Sequence, residues 1–211
     1  MALAVLIAFP LLLLALYSGR PRSKPCPSAC IAFIGDSVTA NWPALRPPNR
    51  FSGLEVVNRG LAGDGTANML LRFRRDVVEL RPRIVVIAGG LNDLAHTPLP
   101  IIEQNLTVMS ETARDRRIAV ILATVPPARG SAQSPAAGGE SPGSDLIAAL
   151  NAWIRSFAAQ NHYALADYYR ALYDQGSVYE GALTADGVHP SAGGYARMEP
   201  VLREAVRSAL E

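Results

Sequence analysis

The stretch that most constrains this chain is an apolar run, residues 31–34, that stops at Gly35-Asp36-Ser37. Its four consecutive apolar residues predict a strand buried on both faces, as the strands of parallel sheets are. Such sheets hold their ligands beyond the carboxyl ends of their strands, so we expect Ser37 at the mouth of the fold. A serine hydroxyl is a weak nucleophile by itself. This interpretation therefore requires a base, an orienting carboxylate and donors for an oxyanion elsewhere in the chain.

Strand-like and helix-like stretches alternate from residue 31 to the end of the chain. Apolar runs predict five strands, at residues 31–34, 54–58, 84–88, 118–125 and 163–166. The helical spacing of apolar residues predicts helices at residues 66–80, 101–114, 145–160 and 192–210, with Thr66 as a cap of the first and Pro200 interrupting the last. Repeated strand–helix units favour an α/β fold whose mainly parallel five-stranded sheet is covered by helices on both faces.

Length and charge bound the function classes. With 211 residues and 49% hydrophobic content, the chain is long enough for one domain with a sizeable core. The formal charge of +2 includes three cations, Arg20, Arg22 and Lys24, that precede the first predicted strand. Residues 31–211 contain 17 basic and 18 acidic residues. That balance lacks the basic surface of a nucleic-acid-binding protein, so we expect no nucleic-acid partner.

The N-terminal segment is predicted to target the protein and to stay outside its fold. Residues 2–17 are 16 uncharged, mostly aliphatic residues, a length between that of a signal-peptide core and that of a spanning helix. We interpret 1–17 as a signal peptide or membrane anchor, 18–30 as a linker and 31–211 as the folded domain. The expected location is periplasmic, secreted or membrane-anchored, with membrane contact only through this segment. The basic cluster after it favours a cytoplasmic domain if the anchor is retained.

The two cysteines, Cys26 and Cys30, both fall before the first predicted strand. No histidine or further cysteine stands at zinc spacing from them, so they cannot form a metal site by themselves. We interpret them as two ordinary thiols, or as one short-loop disulfide if the chain is exported.

Three further loops carry residue types that a serine nucleophile needs. Gly60 belongs to a glycine-rich turn, residues 58–65, where a backbone N–H can approach a ligand closely. Asn92 follows the third predicted strand, where its side-chain amide can point to the same place. Asp186 and His189 share the loop before the last predicted helix. Each fragment alone is weak, but the first two follow the second and third predicted strands as Ser37 follows the first, and together with the Asp186 loop they point to one site.

The chemistry of such a set is nucleophilic catalysis. Two intervening residues are enough to bring Asp186 under Nδ1 of His189, which fixes the tautomer and leaves Nε2 free to take the Ser37 proton. A Gly-x-Ser-x-Gly nucleophile elbow is excluded, because residues 35–39 lack the second glycine. Asp36 is expected to hold the turn by accepting hydrogen bonds from nearby backbone N–H groups.

These four blocks, in this order, resemble those of the SGNH hydrolases, the Gly-Asp-Ser-Leu type esterases and lipases, from residue 31 to about residue 209. Val38 stands where the family name has leucine, a conservative apolar change. The resemblance implies a flavodoxin-like three-layer α/β/α sandwich. It also implies a serine hydrolase of carboxylic esters that uses no metal or cofactor.

The resemblance assigns a role to each residue of the blocks. It implies Ser37 as the nucleophile, His189 as the general base and Asp186 as the carboxylate that orients the base. It further implies an oxyanion hole formed by the Ser37 N–H, the Gly60 N–H and the side chain of Asn92.

The substrate is predicted to be a small-molecule or carbohydrate ester with a short, acetyl-type acyl group. The loop at 126–144, the expected cover of the site, has no Leu, Ile, Phe or Trp to line a groove for a long acyl chain. Trp42 is expected either as a substrate wall beside the nucleophile or as core packing. Lysophospholipase or thioesterase activity, acyl transfer and a catalytically silent binding protein stay open, as does the oligomeric state. A nucleotide-binding module is disfavoured, because residues 60–65 lack a phosphate-loop lysine.

Overall fold

The structure of the protein is a computed structural model that describes residues 25–26, 29–46, 49–128, 143–173, 183–184 and 186–211. The predicted signal peptide or anchor, most of the linker and most of the 126–144 loop lie outside the described residues. In the part of the chain that is described, no helix has the length and apolar character needed to cross a membrane.

The described strands form one six-stranded sheet. They are β1 (Cys30–Gly35), β2 (Arg50–Phe51), β3 (Leu54–Gly60), β4 (Ile84–Ala88), β5 (Ala119–Ala123) and β6 (Ala164–Ala166). The strand order is β2-β3-β1-β4-β5-β6, and every pairing is parallel except that of β2 with β3. The five parallel strands, numbered by themselves, run in the flavodoxin-like order 2-1-3-4-5. The expected three-layer α/β fold is therefore confirmed.

The predicted count of five strands is wrong, because the described residues already form six. The additional strand, β2, is two residues long and pairs antiparallel with the start of β3 through Arg50↔Glu55 and Phe51↔Leu54. A tight turn at Ser52 and Gly53, with φ of 50° and 81°, joins the two strands. A two-residue strand has no periodicity of its own, so only the pairing with β3 reveals it.

The helices bracket these strands. They are α1 (Ser37–Ala40), α2 (Thr66–Asp76), α3 (Leu99–Asp115), α4 (Gly143–Gln160), α5 (Tyr168–Leu172) and α6 (Ala192–Ser208), and two 3₁₀ turns cover Pro43–Leu45 and Val78–Leu80. Pro200 does not interrupt α6, which runs through it. Met198 and Leu202 on either side of the proline are fully buried, and this packing holds the helix together.

The predicted cap of α2 is wrong. The N-cap residue is Gly65, and Thr66 is already inside the helix. The carboxylate of Asp93 supplies the cap instead, because it accepts hydrogen bonds from the Thr66 N–H (2.9 and 3.0 Å) and from Thr66 Oγ1 (2.8 Å). A Cβ on Gly65 would lie 3.1 Å from this carboxylate, so the glycine leaves room for the contact.

Two apolar clusters lie on opposite faces of the sheet. Phe33 belongs to the cluster that includes side chains of α1, α5 and α6, and Ile34 to the cluster that includes side chains of α2, α3 and α4. Successive side chains of a strand point to opposite faces, so a strand between two helical layers must be apolar throughout. This requirement explains the uninterrupted run of β1, whose six residues are all buried.

The start of β1 is tied down at the amino edge of the sheet. Cys26 and Cys30 form a disulfide, and the Cys26 N–H donates to the carbonyl of Leu80 at 2.9 Å. The alternative of two ordinary thiols is therefore wrong, and Cys30 is the first residue of β1, not a residue before it. The opposite, carboxyl edge carries Ser37, which follows the end of β1 between its neighbours β3 and β4. In the flavodoxin-like order, this is the switch point where ligands bind.

Candidate active site

The nucleophile sits on a tight strand-to-helix turn. Asp36 is the N-cap of α1, and its Oδ1 accepts a hydrogen bond from the Val38 N–H at 2.9 Å, as the sequence predicts. Gly35 is required before it, because a Cβ there would lie 2.2 Å from Thr39 Oγ1 and 2.5 Å from the Ala88 carbonyl oxygen. The turn therefore presents Ser37 as the first residue of α1 at the edge of the sheet.

Ser37, His189 and Asp186 form a continuous chain of hydrogen bonds. Ser37 Oγ lies 2.9 Å from His189 Nε2, and His189 Nδ1 lies 2.6 Å from Asp186 Oδ2. A carboxylate beside Nδ1 accepts a hydrogen bond from the Nδ1–H group, so Nε2 is left as the acceptor that faces the serine hydroxyl. The structure thus brings together the three residues that the sequence assigned to this chemistry.

The Asp186 loop holds its own carboxylate in place. Asp186 Oδ1 accepts hydrogen bonds from the backbone N–H groups of Val188 (2.9 Å) and His189 (2.7 Å). The hydrogen bond from the His189 side chain, helped by these two backbone donors, holds the pKa of Asp186 well below its usual range. Gly187 makes the turn with a φ of 79°, a conformation that glycine adopts without strain. Asp186 is therefore a carboxylate at every pH at which the base can act.

The indole of Trp42 lies in the core. Its ring stacks on Tyr195 with centroids 5.2 Å apart and meets the edge of Tyr168 at 5.6 Å. The residue is only 2% exposed. Core packing is therefore the role that the structure gives Trp42, and the substrate wall expected of it is not formed, because other side chains cover the ring.

The predicted oxyanion donors differ in whether they already donate a hydrogen bond within the protein. Ser37 is the first residue of α1, so its N–H has no acceptor within the helix. The exposed Asn92 side chain donates from Nδ2 to the carbonyl of Asp64 at 2.9 Å. The Gly60 N–H donates to Asn58 Oδ1 at 2.8 Å, so this donor is already engaged.

Gly60 has a packing role that the sequence did not reveal. A Cβ at this position would lie 2.4 Å from the backbone nitrogen of Ala40, so glycine lets β3 approach α1. The Asn58 side chain spans the same junction, since its Nδ2 donates to the Thr39 carbonyl at 2.9 Å while its Oδ1 holds the Gly60 N–H. The two hydrogen bonds of Asn58 therefore hold α1, which carries Ser37, against β3.

A second glycine of the same turn was missed by sequence reasoning. Gly63 is exposed and has a φ of 79°, and its N–H makes no hydrogen bond to any described residue. It directly precedes Asp64, whose carbonyl accepts the Asn92 amide. Gly63 therefore offers a backbone donor beside Asn92. The repeated glycines of residues 60–65 were the available signal, but they did not distinguish one glycine from another.

The carboxyl of Asp36 is unusual for a group so close to the nucleophile. It is 4% exposed, and burial raises its pKa from the ordinary 3.8 to about 6, against the opposing effects of the Val38 N–H and of His189. The same carboxyl lines a small cavity of about 10 Å³ with Thr124 and Tyr168.

In the described part of the chain, no cluster of three or more His, Cys, Asp or Glu residues could hold a metal ion.

This chain is similar to proteins named as esterases, lipases or acylhydrolases. Residues 33–197 match the model of the GDSL-like lipase/acylhydrolase family. Esterase TesA of Pseudomonas aeruginosa is 30% identical over 179 residues, which cover 78% of this chain and 81% of TesA. A solved GDSL-like lipase from Bacteroides thetaiotaomicron has a TM-score of 0.75 at 31% identity, covering 89% of this chain and 92% of the lipase.

A more distant structure shares the fold alone. An acetylxylan esterase from Geobacillus stearothermophilus, solved as a catalytic mutant, has a TM-score of 0.70 at 19% identity. The match covers 88% of this chain and 96% of that enzyme.

Proposed function

The chain belongs to the GDSL-like lipase/acylhydrolase family and hydrolyses ester bonds, and from this premise we propose that it is a serine esterase working through Ser37, His189 and Asp186. The observation that carries the proposal is the pair of contacts from Ser37 Oγ to His189 Nε2 (2.9 Å) and from His189 Nδ1 to Asp186 Oδ2 (2.6 Å). These are the contacts that a nucleophile, its base and the orienting carboxylate require.

In the proposed acylation step, Ser37 Oγ attacks the ester carbonyl carbon while His189 Nε2 takes the hydroxyl proton. The carbonyl oxygen becomes an oxyanion, and Asp186 stabilises the imidazolium by accepting the hydrogen bond from Nδ1. Collapse of the tetrahedral intermediate breaks the bond to the alcohol, which leaves with the proton from Nε2. In deacylation, water attacks the acyl-serine by the same route and releases the acid.

The oxyanion would be held by the Ser37 N–H and the Asn92 amide, with a third donor from the glycine turn. Gly60 can serve only if Asn58 releases its N–H, because the two groups are hydrogen-bonded at 2.8 Å. The Gly63 N–H needs no such release. Donors aimed in advance at the developing charge are worth more than donors that must first reorganise.

We propose a short acyl group, with an O-acetylated sugar as a candidate natural substrate. Support comes from the 126–144 loop, which lacks large apolar residues and so cannot repay the transfer of a long chain at about 0.8 kcal/mol per methylene. The chain also shares its fold with an acetylxylan esterase, which is consistent with an acetylated sugar as the substrate. Lysophospholipase or thioesterase action on longer chains is the alternative.

The test is a substrate panel run with wild type and single variants. Acetylated sugars, aryl esters, acyl thioesters and lysophospholipids should show turnover that Ser37→Ala and His189→Ala each reduce by about 10⁴-fold or more. Asn92→Ala should lower kcat by about 10²- to 10³-fold, because one oxyanion donor is lost. His162→Asn is the matched control, since His162 is exposed on a turn after α4 and should leave turnover intact. Full activity in Ser37→Ala would end the proposal.

A p-nitrophenyl ester series measures the acyl preference in the same experiment. The short-acyl proposal requires kcat/KM to be higher for acetyl and butyryl esters than for dodecanoyl esters. A value that climbs steadily with chain length would instead favour a lysophospholipase or thioesterase, without touching the serine mechanism.

We also propose that the protein acts in an oxidising compartment, as an exported or membrane-anchored enzyme. The Cys26–Cys30 disulfide supports this, because disulfides persist mainly outside the cytosol. The apolar segment at 2–17 supports it as well. Alkylation of free thiols in intact cells, followed by mass spectrometry, should find both cysteines unlabelled. Complete labelling of both would place the domain in a reducing compartment.

A further inference from the structure

A buried guanidinium lies behind the proposed oxyanion donors. The side chain of Arg72 on α2 is 4% exposed, and its Nε donates to Asp64 Oδ2 at 2.6 Å. Its Nη1 donates to the Arg59 carbonyl at 2.7 Å and to Asp76 Oδ2 at 3.1 Å. Its Nη2 donates to the Gly35 carbonyl at 3.1 Å. One side chain thus joins the ends of β1 and β3 to the turn that follows β3 and to the end of α2.

Two of these contacts reach the chain beside a proposed donor. Gly35 is the last residue of β1 and stands two residues before Ser37. Arg59 directly precedes Gly60, at the end of β3. Gly35 and Gly60 are also register partners in the parallel pairing of β1 with β3. Arg72 therefore fixes the ends of the two strands from which the nucleophile and the glycine turn depart.

The third contact reaches the amide donor. The carboxylate of Asp64 is bound by Arg72, and the backbone carbonyl of Asp64 accepts the hydrogen bond from Asn92 Nδ2 at 2.9 Å. The position of the Asn92 amide therefore depends on Asp64, and the position of Asp64 depends on Arg72. Gly63, the additional candidate donor, is the neighbour of Asp64 in the chain.

Stability is a poor explanation for this network. A buried ion pair seldom stabilises a fold more than well-packed apolar side chains would, because both charges lose their hydration. A planar guanidinium with five N–H donors does, however, hold several acceptors in one fixed geometry, which a lysine ammonium does not. The carboxylates of Asp64 and Asp76 both form ion pairs with Arg72. Burial tends to raise the pKa of Asp76, but hydrogen bonds from Arg75 and Arg72 outweigh it and lower that pKa.

We propose that Arg72 is a positioning residue of this active site, which sets the spacing of the oxyanion donors through Gly35, Arg59 and Asp64. The proposal rests on the proposed esterase function. Arg72 does not touch substrate. It acts by holding the donors where the charge of the tetrahedral intermediate develops, so its loss should affect the transition state more than the bound ester.

The chain offers a matched pair of variants for the test. Asp64→Ala and Asp76→Ala each remove one carboxylate from the same guanidinium, but only Asp64 carries the contact to Asn92. Asp76 is the last residue of α2, about one helical turn further from the active-site edge than Arg72. Arg72→Lys is the third variant, which keeps the charge and loses the planar array of donors.

Four quantities separate positioning from a general loss of stability: kcat, KM, the melting temperature, and the dissociation constant of butylboronic acid, which mimics the tetrahedral intermediate on Ser37. Asp64→Ala and Arg72→Lys should lower kcat by about 10- to 100-fold and weaken boronate binding by a similar factor, with KM nearly constant. Asp76→Ala should change kcat by less than about threefold, although the melting temperature of this variant should fall by as much as that of Asp64→Ala. If an alanine variant fails to fold, the asparagine variants of the same two positions replace the pair.

Equal effects of the Asp64 and Asp76 variants on kcat and boronate affinity would overturn the positioning role, as would losses confined to melting temperature. The proposed function fails in a different way. Wild type would then show no turnover that depends on Ser37, whatever the variants of the Arg72 network do.

Discussion

Ser37 and His189 are separated by 152 residues, yet their side chains are in contact. Each is placed by a short-range device, the Asp36 cap on one side and the Asp186 turn on the other. Neither device depends on the other, so each half of the site is built locally and the sheet only has to bring them together. Substitutions within a device should therefore act through the one residue that it orients.

The buried carboxyl of Asp36 gives a prediction about how stability depends on pH. Its pKa in the folded protein is about 6, above the ordinary 3.8, so the folded protein binds this proton more tightly than the unfolded chain does. The resulting stabilisation is fully present below pH 3.8 and is lost as the pH rises through 6. The difference between the two pKa values corresponds to about 3 kcal/mol. Relative to Asp36→Asn, which does not titrate at this position, wild type should lose about 2 kcal/mol of this unfolding free energy between pH 4 and pH 7.

Urea denaturation of both proteins at pH 4, 5, 6 and 7 measures the effect, and titrating groups that do not interact with Asp36 cancel in the comparison. Asp115→Asn is the control, because it makes the same chemical change at a side chain that is 71% exposed. A difference between wild type and Asp36→Asn that does not change with pH would contradict the assignment.

At the scale of elements, α1 is only four residues long and depends on its neighbours. Tyr195 of α6 donates from its hydroxyl to the Val38 carbonyl at 2.8 Å, in a buried position. The last carbonyls of a helix have no partner within it, so Tyr195→Phe leaves a buried acceptor unsatisfied. We expect a loss of about 1–3 kcal/mol in unfolding free energy, measured by denaturant titration, and a lower kcat because Ser37 is held less firmly.

Tyr173→Phe is the matched control, since Tyr173 is 44% exposed and its hydroxyl should contribute less than about 0.5 kcal/mol. If Tyr195→Phe were as stable as this control, α1 would not depend on α6 through that bond.

Features were easier to predict from the sequence when the residues that form them lie close together in the chain. The long apolar strands and amphipathic helices could be predicted, because their patterns are written in consecutive residues. The short strand β2 could not, since it exists only by pairing with β3. The cap of α2 was also missed. The carboxylate of Asp93 accepts the hydrogen bond from the Thr66 N–H, and the two residues are 27 positions apart in the chain.

The same distinction applies to the site. Asp186 and His189 are three residues apart, and their contact could be inferred from that spacing. The engagement of the Gly60 N–H by Asn58 was not inferred, although it is just as local, because a glycine-rich turn admits many conformations. The Arg72 network joins residues up to 37 positions apart, and no spacing rule predicts such contacts.

At the scale of the whole molecule, the two edges of the sheet have separate tasks. The carboxyl edge carries the proposed chemistry, and the amino edge receives the N-terminal chain at Cys26. Strand β1 joins them through six residues, a span of about 20 Å. A change at the amino edge should therefore alter stability without altering the geometry around Ser37.

The disulfide at the amino edge is the place to test this separation. A chain that begins at Pro25 keeps Cys26 and Cys30, so we expect it to fold and to match the full chain in kcat/KM. Reduction, or Cys26→Ala, opens a loop of about five residues and should cost about 2 kcal/mol of unfolding free energy. Because the bond lies a full strand away from Ser37, kcat should stay unchanged at temperatures where the fold persists. Thermal melts and ester turnover of the oxidised and reduced protein, compared with Cys26→Ala, measure both quantities. Turnover that falls on reduction while the melting curve stays in place would show that the two edges are coupled.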